Sequence, residues 1–243
     1  MCAAARENRL NVLAMMHAEE HMGEVPMRYD AVMWSAARGG HEALVRSYHK
    51  KLQEKGDMYP SAIFHTMCAA ARGGHEPIVR LCCEEWGDGG VNYAMADAAR
   101  GGHEELVRKI HDTWNITDVD WAMRSAAKGG YDRLVCICKD EWGATDVVGA
   151  LNAATLGGQD HVVRLCLEKW GADTATINDA MFLAAVHNQP SILKYLFDVW
   201  NGRVEGGRAI EAVIKMHGPS EPVVQLLLTW KSNGHWRPES VCE

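Results

Sequence analysis

The sequence predicts an all-α fold, a solenoid of about eight short helical hairpins stacked side by side. Three observations predict it. Five ten-residue stretches are nearly the same: AARGGHEALV (36–45), AARGGHEPIV (70–79), AARGGHEELV (98–107), AAKGGYDRLV (126–135) and ATLGGQDHVV (154–163). Their glycine pairs begin at Gly39, Gly73, Gly101, Gly129 and Gly157, so three successive spacings are 28 residues. Tryptophan keeps the same register, with Trp86, Trp114, Trp142 and Trp170 spaced by 28 and Trp200 and Trp230 by 30. A fixed period of this length means copies of one supersecondary unit, each burying its apolar face against its neighbours rather than in one central core.

Residues 92–119 serve as the type unit. Asn92 is placed to cap a short helix over Tyr93 to Arg100, with Met95, Ala98 and Ala99 at i, i+3 and i+4 as its apolar stripe. Gly101-Gly102 ends that helix, because glycine accepts the left-handed conformation of a helix C-cap. A second helix starts at His103. Glu104 and Glu105 suit the positive end of its dipole, and Leu106, Val107, Ile110 and Trp114 form its buried stripe. A turn over 115–119 leads to the next copy, with Asp120 as the expected N-cap.

The helix-ending position extends the count. His187-Asn188 and His217-Gly218 follow at 30-residue steps, and Glu7-Asn8 holds the same place at the front, where most of the leading helix is missing. Terminal copies that depart from the pattern present a soluble outer face. Residues 1–231 are therefore read as one repeat domain and 232–243 as a polar tail, in which Trp236 and Arg237 are secondary docking candidates. The link after the second unit is six residues longer and has room for a loop at Lys51–Pro60.

Rows across the copies separate packing from display. Met33, Met67, Met95, Met123 and Met181, with Leu151 filling the gap, are read as core, and the tryptophan ladder as a packing spine at the end of the second helices. Cys82, Cys138 and Cys166 share a position with Ile110, so they are expected to be small buried hydrophobes. Reduced thiols in a reducing compartment follow, and Cys82-Cys83 and Cys136-x-Cys138 lack the CxxC spacing of a zinc site. His41, His75 and His103 give way to Tyr131 and Gln159, an exchange no metal row tolerates. They are expected to hydrogen-bond at the start of the second helix. The net charge of −7 argues against broad binding to nucleic acid or anionic membranes. No apolar run approaches the roughly 18 residues of a spanning helix, and the N-terminus lacks the order of a signal peptide.

The unit resembles the ankyrin repeat. AARGGHEELV looks like the AAxxGHxEIV segment of that family, and GATDV (143–147) like its GADVN segment, over roughly residues 2–231. The TPLH box is replaced by YAMA (93–96) or WAMR (121–124). The period is about five residues short of the usual 33, and the missing residues are those of the projecting β-hairpin finger. The resemblance therefore implies ankyrin-like helical hairpins with reduced or absent fingers. Short repeats with tryptophan before GAT also resemble those abundant in large DNA viruses, including amoeba-infecting giant viruses of the marseillevirus type. That implies a viral protein in the host-cell cytoplasm or in the virion.

Three variable rows lie on one face of the first helix. Eight residues before each glycine pair stand Ala31, His65, Tyr93, Trp121, Gly149 and Asp179; five before stand Trp34, Cys68, Ala96, Arg124, Asn152 and Phe182. Immediately before it stand Arg6, Arg38, Arg72, Arg100 and Lys128, then Leu156, Val186 and Met216. The first helices line the concave side in ankyrins, so the resemblance places this surface there. At roughly 8–10 Å per layer, five cations form a ladder about 40 Å long followed by an apolar segment. Two readings stay open: a groove for an acidic and then apolar protein segment, or cations that complement helix C-termini and pair with nearby glutamates.

Catalytic motifs are weak. His17-Ala-Glu-Glu20-His21 matches H-x-x-E-H, whose histidines could meet one zinc, but it falls at an end turn and no companion glutamate motif follows. GDGGVN (87–92) lies in an inter-unit turn without the strand and lysine of a phosphate loop. No GxSxG elbow is present, and no F-box-like adaptor segment. The expectation is a non-catalytic scaffold without cofactor or metal, binding a host protein through Arg38, Arg72, Arg100, Lys128, Trp34, Tyr93, Trp121, Arg124 and Phe182. The alternative is a structural virion component that bridges capsid or internal proteins.

Overall fold

In a computed structural model the described residues are 3, 6, 28–56, 60–87, 89–199, 213–218 and 220–235. Among them every regular element is helical and no strand occurs. The first and second helices alternate as read from the repeat: α1 (Tyr29–Arg38), α2 (Glu42–Lys55), α3 (Pro60–Gly73), α4 (Glu76–Arg80), α5 (Val91–Gly101), α6 (Glu104–Trp114), α7 (Asp120–Gly129), α8 (Asp132–Cys136), α9 (Val147–Gly157), α10 (Asp160–Leu165), α11 (Thr174–Val186) and α12 (Pro190–Val199). A helical stretch over 213–217 precedes α13 (Pro222–Ser232). Three second helices end in a turn of π-helix: α4 in Leu81–Glu85, α8 in Ile137–Glu141 and α10 in Cys166–Trp170. There the ladder widens, so that the Trp86 amide bonds the Leu81 carbonyl and the Trp142 amide the Ile137 carbonyl, each five residues back.

The chain divides into two units, Met1–Ala122 and Met123–Glu243. In the first, α1 packs on α3 and α3 on α5, while each first helix packs on its own second helix. The second repeats the scheme, with α9 on α11, α11 on α12 and α12 on α13. The methionine row is buried as expected, from Met33, Met67 and Met95 in the first unit to Met123, Leu151 and Met181 in the second. Cys82, Cys138 and Cys166 are fully buried thiols, and burial pushes Cys166 up to about 12.

The glycine pair ends each first helix in a Schellman-type cap. The amides of His41, His75, His103, Tyr131 and Gln159 reach back to the carbonyls of Ala36, Ala70, Ala98, Ala126 and Ala154. Gly74 at φ +80° and Gly102 at φ +79° hold the left-handed position, where Asn188 at φ 52° replaces glycine in a later copy. The first glycine has a different reason. A Cβ on Gly101 would stand 2.6 Å from the Arg72 carbonyl oxygen of the preceding hairpin.

Several local expectations are corrected. The N-cap of α5 is Gly90, and Asn92 is the second residue of the helix, because the helix starts as soon as the loop glycines end. Asp120 is the first helical residue of α7 rather than its cap. His41, His75 and His103 do stand at N-caps, but none of their side chains bonds the helix it precedes. Instead the Nε2–H of His75 donates to the Arg38 carbonyl at 3.1 Å, and that of His103 to the Arg72 carbonyl at 3.0 Å. The histidine row is a clasp between hairpins. Of Lys51–Pro60, residues 51–55 continue α2, Gly56 ends it at φ 71°, and Pro60 opens α3. Residues 57–59, His17–His21, Trp200, Trp236 and Arg237 lie outside the described residues.

The tryptophan spine is shallower than read from the sequence. Trp86, Trp114, Trp142 and Trp170 are half-buried, and Trp230 is buried. Trp86 stacks flat on His49, with centroids 3.8 Å apart, and Trp230 does the same on Phe197. Polar links tie the outer faces of neighbouring second helices. Arg46 grips Glu85 with two hydrogen bonds of 2.7 Å, and Lys109 reaches Glu76 at 2.6 Å. In the second unit Tyr195 donates to Glu168 at 3.1 Å while Arg164 lies over its ring.

Candidate functional site

The first helices of the first unit carry the candidate site. Their alanines and methionines face the core, while the variable rows, three and four positions apart from one another, share a different face. Trp34, Arg38, His65, Cys68, Ala69, Arg72 and Asp97 line a cleft of about 230 Å³. Five of these seven occupy the variable rows, so α1 and α3 do bring the predicted face together. Trp34 is held by its indole N–H, which donates to the Ala62 carbonyl at 3.1 Å, and by His65, which meets its ring edge-on at 5.0 Å.

From His65 a ridge of rings continues along the same face. Phe64 meets His65 at 5.3 Å, Tyr93 meets Phe64 at 5.0 Å, and Trp121 meets Tyr93 at 4.4 Å, all edge to face. Tyr93 keeps 45% and Trp121 38% of its surface exposed. Aromatic rings left in solvent in a contiguous row are enriched in protein-binding surfaces.

The cations are not equivalent. Arg38 and Arg100 are exposed, and among the described residues neither side chain makes an ion pair. Arg72 is different: its guanidinium is held by Asp97, with Nε donating to Oδ1 at 2.9 Å. The cation ladder is thus neutralised at its middle member. The partner is an aspartate on the adjacent first helix, not a glutamate. Asp97 was missed because it lies one residue outside the variable rows, where other copies carry Ser35, Ala69, Ser125, Ala153 and Leu183. Phe64 was missed likewise; an aromatic where other copies carry Asp30, Asn92, Asp120, Val148 and Asn178 was the available signal.

In the second unit the predicted residues are placed differently. Arg124 bonds Asp146 at 2.9 Å, and Asp146 also caps α9 by accepting from the Gly149 amide at 2.8 Å. A Cβ on Gly149 would stand 2.7 Å from Arg124 Cδ, so this glycine makes room for the arginine stem. Lys128 is half-buried, and its carbonyl takes a long 3.5 Å contact from Gln159. Phe182 is 40% exposed and Met216 61%, while Leu156 and Val186 are half-buried. The charge pattern therefore does change from cationic to apolar along the rows.

Among the described residues no helix is long and apolar enough to cross a membrane. No protein-family model matches the chain, and a search of curated proteins returns no match.

Proposed function

We propose that this protein is a non-catalytic scaffold of ankyrin-like hairpins that binds a protein segment on its first-helix face. One observation carries the reading: the ring row of half-buried Phe64 and exposed Tyr93 and Trp121 runs into a cleft beside Arg38, on positions that vary while the neighbouring helix faces stay constant. Constant rows support packing, and a variable aromatic and cationic row beside them suits selective recognition. Ankyrin-like architecture is supported by helical hairpins that lack strands among the described residues and keep the GGHE clasp. The likeness to repeats of large DNA viruses extends the proposal to a host factor as partner.

Capture from host lysate tests it, comparing wild type with an Arg38→Glu/Arg100→Glu/Lys128→Glu variant. Arg72 stays unchanged, because reversing it would leave Asp97 beside a second carboxylate and confuse folding with binding. A protein retained by wild type and lost from the variant, with equal helicity by circular dichroism, is the expected result. Equal recovery by both would move the site off this face.

A further inference from the structure

Resting on that reading of the first-helix face, we propose that its first-unit portion receives an extended, proline-containing acidic segment of a partner protein. The apolar part lies on the ridge Phe64–Tyr93–Trp121 and a carboxylate pairs with Arg38.

Ridge geometry selects the apolar part. Successive rings stand 5.0 and 4.4 Å apart with planes at 81° and 72°. Each ring is closed edge-on by the next, so no slot between parallel faces exists into which a nucleobase could stack. What remains is a row of shallow notches. A polyproline II turn, about 9 Å for three residues, spans such a ridge, and its shape is set before binding, so little ordering entropy opposes docking.

Hydrogen-bonding capacity points the same way. Among the described residues neither the Tyr93 hydroxyl nor the Trp121 indole N–H has a protein partner, whereas the Trp34 indole N–H is already satisfied by Ala62. Proline has no backbone N–H, so a proline-containing chain offers mainly carbonyl acceptors, which these two donors match.

Charge selects the acidic part. Arg38 is the cleft's guanidinium without an ion pair among the described residues, while Arg72 beside it is committed to Asp97. The cleft therefore has one vacancy for one carboxylate. A nucleic-acid strand calls for a track of cations along its backbone; here Asp97 cancels the middle one of Arg38, Arg72 and Arg100, and the chain carries −7 overall.

The test is selection by the full chain from a phage-displayed library of random peptides, followed by fluorescence anisotropy on synthesised winners. The expected result is enrichment of proline together with Asp or Glu. Affinity should fall at least tenfold in Tyr93→Ala, Trp121→Ala and Arg38→Glu, each checked for unchanged helicity, and stay unchanged in Lys50→Glu on the second-helix side. Winners without proline that still need Tyr93 would overturn the occupant but leave the binding face standing. Winners indifferent to Tyr93, Trp121 and Arg38 would overturn both. No enrichment, or an oligothymidylate strand bound more tightly than any winner, would overturn the proposal.

Discussion

The glycine–glycine–histidine triplet shows how single residues tie one hairpin to the next. His103 donates to the Arg72 carbonyl, and its ring lies where a Cβ on Gly74 would come within 2.6 Å of Nδ1. Gly74 therefore has two reasons to be glycine, its positive φ and the ring above it. Gly74→Ala is expected to cost about 1–2 kcal/mol for the left-handed backbone, and to break the clasp by displacing the ring. His103→Ala alone should cost about 1 kcal/mol for the lost hydrogen bond. The double variant should be less destabilised than the sum, because either change alone removes the same bond. Urea unfolding of the four proteins measures this coupling; strict additivity would show that ring and glycine do not communicate.

At the scale of elements, each hairpin divides its work between a buried first-helix stripe and a half-exposed second-helix end. Met95 is fully buried between alanines of α5, so Met95→Ala is expected to cost about 2–5 kcal/mol. Trp142 sits half-exposed at the end of a π-helical turn. Truncating it should cost less than the roughly 3–5 kcal/mol of a fully buried aromatic, below about 3 kcal/mol. If denaturant melts rank Trp142→Ala above Met95→Ala, the tryptophan row, not the methionine row, is the spine. The π-turns recur at the ends of three second helices, each at or beside a tryptophan of the ladder.

For the whole molecule, acidity is the lever. Burial penalises the imidazolium of His49 and of His75, holding both below their ordinary 6.5. The unfolded chain then takes up protons that the folded chain refuses, so stability is full above about pH 6.5 and is lost as pH falls through the lowered values. Glu76 and Glu85, held below their ordinary 4.5 by Lys109 and Arg46, and Asp173, held below 3.8 by Thr176, add a second loss in the acid range. Thermal melts should show a lower Tm at pH 5.5 than at pH 7.5. His75→Gln, which places at this position the residue found at 159, should narrow the gap; an unchanged gap would assign the effect elsewhere.

Much of this was legible in the chain because a repeat is its own comparison. The period, the glycine caps, the buried methionine and cysteine rows and the outward face of the first helices all follow from which positions vary among copies and which do not. Periodicity is a one-dimensional property, and local sequence suffices to set it. Which side chains pair between neighbouring copies, whether once or in every copy, the tertiary structure alone decided. Asp97 takes Arg72 out of the cation row, Asp146 takes Arg124, and the histidines serve the preceding hairpin instead of their own helix. Each depends on which side chain lies across a gap from residues 22 to 37 positions away in the chain. That distance is closed only when the hairpins pack.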